Sequence, residues 1–171
     1  MYENNLVENN QHAGIFHEIS FNAVIRRNVV RHNGRGRGWF WDAGILIAAS
    51  QDVEVTGNTV MVEPGACGTT LIDQGRRSEQ GAIHKTRNNI VRDNEMIFEG
   101  APCAGGASDT KPGGENFAII TNGNNRFDAN TYRVRDTSDP ARFVWDQDVT
   151  DWDGFERKGQ EQSGRLILSD K

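Results

Sequence analysis

Residues 13–33, AGIFHEISFNAVIRRNVVRHN, align without a gap on residues 43–63, AGILIAASQDVEVTGNTVMVE. Gly14 meets Gly44, Ser20 meets Ser50 and Asn28 meets Asn58, each at an offset of 30. A second gapless pair sets 81–99, GAIHKTRNNIVRDNEMIFE, over 117–135, FAIITNGNNRFDANTYRVR, at an offset of 36. A single-residue gap joins the two pairs, with Gly81 on Gly44 and Asn94 on Asn58. At the front, YENNLVENN matches IRRNVVRHN, so Asn5 joins the series. The series is Asn5, Asn28, Asn58, Asn94 and Asn130, spaced 23, 30, 36 and 36. A repeat of this period decides the architecture before any other reading.

Each unit parses into three short strands. An apolar strand comes first (15–17, 45–47, 82–84, 118–120), then a polar bend and a second strand (24–26, 53–55, 90–92, 126–128). The asparagine follows, and after it a third strand (29–31, 59–62, 95–98, 131–134). Alternation in Val53 and Val55, and in Met96 and Phe98, has the period of a strand. Such strands bury their apolar sides only when coil stacks on coil at about 4.8 Å, forming continuous parallel sheets around a shared core. The asparagine suits the sharp turn, where a residue that tolerates the left-handed region is needed. Stacked in register, its amides can form a ladder. Asparagine that was merely common in turns would not bring both flanking strands with it.

Composition agrees. Only 36% of the 171 residues are hydrophobic and mean hydropathy is −0.66, which fits an elongated, turn-rich object better than a compact α/β enzyme. The net charge of −5 argues against nucleic acid as a partner. No stretch has the length of a transmembrane helix, and the N-terminus lacks the apolar core of a signal peptide. Met1 reads as an internal start, with upstream coils and any targeting segment expected to be missing.

The asparagine-marked three-strand unit resembles the pectate-lyase-like superfamily over roughly residues 2–135. The resemblance implies an all-β fold: a right-handed, single-stranded parallel β-helix of about five coils, here 1–135, closed by a capping segment, 136–171, of the same domain. It also implies an exported protein, extracellular or periplasmic, whose loops and first strands wall a cleft for polysaccharide. No cofactor is required by the sequence, and calcium enters through the resemblance alone. The superfamily spans lyases, epimerases, hydrolases and members without known chemistry, so the fold does not fix the activity.

The variable segments are 34–43, 64–80 and 100–116. Cys67 and Cys103 lie in the second and third, 36 apart, either bridged or as two stacked thiols. No ligand spacing for zinc surrounds them, and no other metal site is indicated. In GRGRGWFWDA, Trp39 and Trp41 could stack on sugar rings, Arg35 and Arg37 could pair with uronate carboxylates, and Asp42 could join them as a substrate-binding residue. The alternative is aromatics packed on the coil edge with solvated arginines. His17, and His84 with Lys85 and Arg87, fall at nearly equivalent positions and would form a cationic column if they face the cleft. Lys85 or His84 would then be the base of an elimination, with Arg87 clamping the carboxylate. Otherwise these are solvated side chains, or histidines turned inward. A glycoside hydrolase needs two carboxylates flanking the bond, and Asp42, Asp52 and Asp73 share no local motif.

After Val134 the repeat fades. Thr150 and Asp153 read as a capping box opening a helix at about 151–158, with Trp152 and Phe155 on one face and Gly159 at its end. This helix would cover the last coil. The leading reading is therefore a carbohydrate-active β-helix that binds or cleaves acidic polysaccharide by lyase or epimerase chemistry. A non-catalytic glycan-binding or structural segment of a larger exported protein is the alternative, and a glycoside hydrolase the next.

Overall fold

The computed structural model describes residues 1–36, 38–135 and 140–168. They form a right-handed parallel β-helix of three sheets. Sheet A stacks Tyr2–Glu3, Val24–Arg26, Glu54–Thr56, Ile90–Arg92 and Arg126–Asp128. Sheet B stacks Leu6–Glu8, Val29–Asn33, Thr59–Val62, Glu95–Phe98, Thr131–Val134 and Arg165–Leu168. Sheet C stacks Ile15–Glu18, Ala43–Ala48, Cys67–Asp73, Cys103–Ser108 and Arg142–Trp145, and ends in an antiparallel strand, Asp148–Thr150.

Register turns the period-two pattern into columns. In sheet A, Ile25, Val55, Val91 and Phe127 lie over one another, and in sheet B, Val30, Val60, Met96 and Tyr132 do the same. All eight are at most 1% exposed, so the interior is a continuous dry core. Burial of each such aliphatic or aromatic side chain contributes about 1.5–3 kcal/mol. Gly14, Gly44 and Gly68 stack at the start of sheet C, where a Cβ would sit 2.6, 2.2 and 2.5 Å from Val30, Val60 and Met96 respectively. The sheet B column thus leaves no room for a side chain there.

The ladder runs as the repeat implies. Backbone N and Nδ2 of Asn5 both donate to Asn28 Oδ1 (3.0 and 2.9 Å), and the same pair of bonds links Asn28 to Asn58, Asn58 to Asn94 and Asn94 to Asn130. The left-handed residue of the turn is the one before it: Asn4, Arg27, Gly57, Asp93 and Ala129 have φ between 54° and 63°. The asparagine is therefore selected by its side-chain bonds and not by tolerance of positive φ. Shorter ladders occupy the other two corners, Asn10 onto Asn33 and Asn89 onto Asn125.

Three further expectations change. Residues 82–84 and 118–120 are not sheet C strands. Ala82–His84 belongs to an insertion closed by an antiparallel bridge, Arg77 to Ile83, and Ala118 caps a short helix, α1 (Ile119–Asn122). The sheet C strands of those coils are Cys67–Asp73 and Cys103–Ser108, so both cysteines lie in strands and not in loops. Thr86 Oγ1 bonds the Ile72 carbonyl as Ser50 Oγ bonds that of Ala48, which places residues 74–85 as an insertion between strand and corner. Finally, parallel pairing outlasts the visible repeat, since Arg142–Trp145 and Arg165–Leu168 extend sheets C and B.

A second helix, α2 (Trp152–Arg157), covers the last coil. Its cap is Asp151, whose Oδ1 accepts the Gly154 N–H at 2.8 Å, in place of the expected Thr150–Asp153 box. Trp152 and Phe155 do share the inward side, packing on Tyr132 and Phe143, and Gly159 has φ +79° just past the helix.

Candidate functional site on the outer face of sheet C

Sheet C is buried on both faces at its centre. Ile45, Ile47 and Leu71 point into the core, whereas Leu46, Ala48 and Ile72 point outward and are still at most 1% exposed. Their cover includes Phe40, from the segment 34–42 that bridges sheets B and C. Cys67 and Cys103 form a disulfide beneath it, with Cα atoms 4.5 Å apart. This explains why these strands, CGTTLID and CAGGAS, show no apolar alternation: a strand buried on both sides has no polar face to display.

Trp39, 43% exposed, stands out from this cover. Its ring contacts Phe40, with centroids 5.6 Å apart, and the Arg142 guanidinium carbon lies 6.0 Å from its centre. A concavity of about 460 Å³ on one side is lined by Gly34, Arg35, Trp39, Glu63 and Arg142, among others. A second, of about 310 Å³, includes Trp39, Phe40, Trp41, Asp109, Asp146 and Gln147. Trp39 is thus shared by a cationic lobe and an acidic lobe. Arg37 lies outside the described residues.

Asp42 is turned inward. Its side chain is 1% exposed, Oδ1 lies 2.9 Å from His12 Nδ1, and Oδ2 accepts the Gly38 N–H at 2.5 Å. His12 itself is 71% exposed. The glycines of GRGRG fit this packing: a Cβ at Gly36 would lie 2.6 Å from two atoms of the His12 ring. Backbone bonds from Gly34 N to His12 O and from Gly36 N to Gln11 O fix the two segments together.

The other acids separate. Asp52 bonds the Asn88 amide at an exposed corner. Asp73 is buried and accepts from Thr86 N and Gly75 N; burial pushes its carboxyl up, and those bonds oppose the rise. Asp109 follows Ser108, the register partner of Asp73. Partial desolvation raises its carboxyl, and the charge of Asp73 adds to the rise. Asp146 is held by Thr121 through backbone N and hydroxyl.

The column of His17 and His84 is not formed. His17 is in register with Ile47, 6% exposed and directed inward, with Nδ1 3.3 Å from the Tyr2 hydroxyl and Nε2 unpartnered. Burial lowers its pKa, and the nearby N-terminal charge lowers it further. His84 and Lys85 belong to the 74–85 insertion, and Arg87 sits at the next corner, bonding Gln51 Oε1 at 2.9 Å. None of these four lines either concavity beside Trp39. Similar polarity in GIFHE and AIHKT suggested an equivalence that the insertion breaks.

Sequence reasoning passed over His12, Arg142, Asp109 and Asp146. The sequence offset of 36 that aligns Cys67 with Cys103 also aligns Asp73 with Asp109, one residue past its register partner Ser108, and the offset of 23 from Asn10 to Asn33 aligns His12 with Arg35. For Arg142 the visible repeat had already ended. Among the described residues, no group of three or more His, Cys, Asp or Glu is placed to hold a metal ion.

Residues 2–60 match the family model described as right handed beta helix region. No curated protein and no solved structure matches the chain. The matched segment covers the first two coils and the start of the third, and the ladder and sheet register carry the same architecture to the C-terminal cap.

Proposed function

We propose that this right-handed β-helix holds an acidic polysaccharide along the outer face of sheet C and acts on its uronate units by lyase or epimerase chemistry. The observation that carries the reading is Trp39: a half-exposed indole between two concavities, with Arg35 and Arg142 on one side. A flat aromatic surface suits the apolar face of a sugar ring, and guanidinium groups suit the planar carboxylate of a uronate. The disulfide fits export to an oxidising compartment, extracellular or periplasmic.

A second reading, glycoside hydrolysis, is favoured by Asp109 and Asp146 sharing the acidic lobe, where one carboxyl with a raised pKa could serve as the acid and the other, held by Thr121, as base or nucleophile.

Titration calorimetry with polygalacturonate, alginate and a neutral glucan tests the binding claim. Saturable, salt-sensitive binding to the uronate polymers, weak for the neutral glucan, is expected; no binding to any of them contradicts it. Among bound polymers, new ultraviolet-absorbing unsaturated ends indicate elimination, and new reducing ends without that absorbance indicate hydrolysis.

A further inference from the structure

We propose that His12, oriented by Asp42, is the general base of this site and removes the proton on the carbon next to a uronate carboxylate. The inference rests on the polysaccharide reading above and adds the residue that would do the chemistry. A buried carboxylate on Nδ1 fixes one tautomer: Nδ1 carries the proton and Nε2 is left as the basic atom. The imidazole is 71% exposed while its partner is 1% exposed, so the base meets solvent and the charge that orients it does not. The support is rigid. Asp42 also receives Gly38 N, and its carbonyl accepts Cys67 N at the start of the sheet C strand. Gly36 lies flat against the ring, where any Cβ would displace it.

The other histidines lack this arrangement. His17 is inside the helix. His32 pairs with Glu63, a partly exposed carboxylate that also lies 3.9 Å from Arg35. Arg35 is the chain neighbour of Gly36 and lines the cationic lobe. The step balances without a further reactant. His12 Nε2 takes the C5 proton, the C5–H electron pair becomes the C4–C5 double bond, and the C4–O bond breaks. The departing oxygen takes the proton back from the imidazolium. A guanidinium on the carboxylate stabilises the enolate-like charge that develops. Asp42 acts through His12 and is a positioning residue.

The test uses the whole chain with polygalacturonate and alginate, and the variants His12→Gln and Asp42→Asn. His12→Gln is expected to fold, with a lower urea midpoint because the buried Asp42 carboxylate loses its imidazole partner, and to bind polymer as wild type does. It should form unsaturated ends at least about 10²-fold more slowly. Asp42→Asn should lower kcat by about 10–100-fold with KM unchanged, because the imidazole loses the carboxylate that orients it while the polymer-binding residues stay in place. Wild-type turnover by His12→Gln overturns the proposal, as does loss of polymer binding in that variant. Polymer binding by wild type with no unsaturated ends on either substrate also overturns it and leaves the binding claim standing. Failure of wild type to bind either polymer removes both.

Discussion

Glu161 occupies the place of a sixth ladder asparagine: its carboxylate accepts the Asn130 backbone N–H at 3.1 Å and the Asn130 Nδ2 at 2.6 Å. Each ladder asparagine donates onto the next Oδ1, so the last one needs only an acceptor. A carboxylate supplies two, leaves no surplus N–H group, and takes the buried Tyr132 hydroxyl as well, at 2.7 Å. Its neighbour Gln160 accepts the Phe127 N–H at 2.9 Å. The segment Gly159-Gln160-Glu161 therefore ends the ladder chemically, while α2 covers the core.

Removing that acceptor should be costly. Glu161→Ala leaves Asn130 N and the Tyr132 hydroxyl without partners in a dry site and leaves Asn130 Nδ2 with the Val91 carbonyl alone, a loss of about 3 kcal/mol or more. Glu161→Gln keeps one oxygen and should lose less. Urea denaturation of the two variants checks the order.

Glu161 also sets a pH dependence. Burial raises its carboxyl from 4.5 to about 7, against three donated hydrogen bonds. Folded protein then holds a proton that unfolded chain has released, so this group's stabilising contribution is complete below pH 4.5 and is lost as pH rises to about 7. The span corresponds to about 3 kcal/mol. Urea midpoints measured across this range should fall with pH in wild type, and the fall should be smaller in Glu161→Gln.

Ladder positions should differ in weight. Asn94 is 2% exposed, accepts twice from Asn58, and donates to the Val55 and Arg92 carbonyls and to Asn130. Asn94→Ala should cost about 3 kcal/mol, because each side loses a buried partner. Asn5, exposed at the first coil, donates onward to Asn28, and Asn5→Ala should cost less than about 1 kcal/mol. Equal losses in the two variants would argue against a cooperative buried ladder.

Reduction of the disulfide should weaken the face that carries Trp39. The bridge spans 36 residues of sequence, which corresponds to roughly 3–4 kcal/mol in the chain-entropy account. The urea midpoint should drop on adding dithiothreitol, and a Cys67→Ala, Cys103→Ala double variant should be insensitive to it.

Asparagine spacing made the stack, the coil count and sheets A and B legible, because ladder bonds demand one residue type at one register. Sheet C was legible in its first two strands but not beyond them, since CGTTLID and CAGGAS are buried on both sides and carry no alternating pattern. An apolar stretch in the 74–85 insertion, AIHK, imitated the missing strand and drew His84 into line with His17. The site suffered similarly. Trp39 and Arg35 stood out in a Gly-rich segment, and the structure places them on one concavity. His12 meets Asp42 only because coil one stacks on coil two, and Arg142 reaches Trp39 from a coil whose repeat had faded.

The most direct measurement is the affinity of wild type and Trp39→Ala for the uronate polymer that wild type binds. Truncation of this half-exposed side chain should lower the urea midpoint only modestly and leave the protein folded, and the account predicts at least about tenfold weaker binding, or about 1.4 kcal/mol. Equal affinity in the two proteins would contradict the assignment of the polysaccharide to the outer face of sheet C.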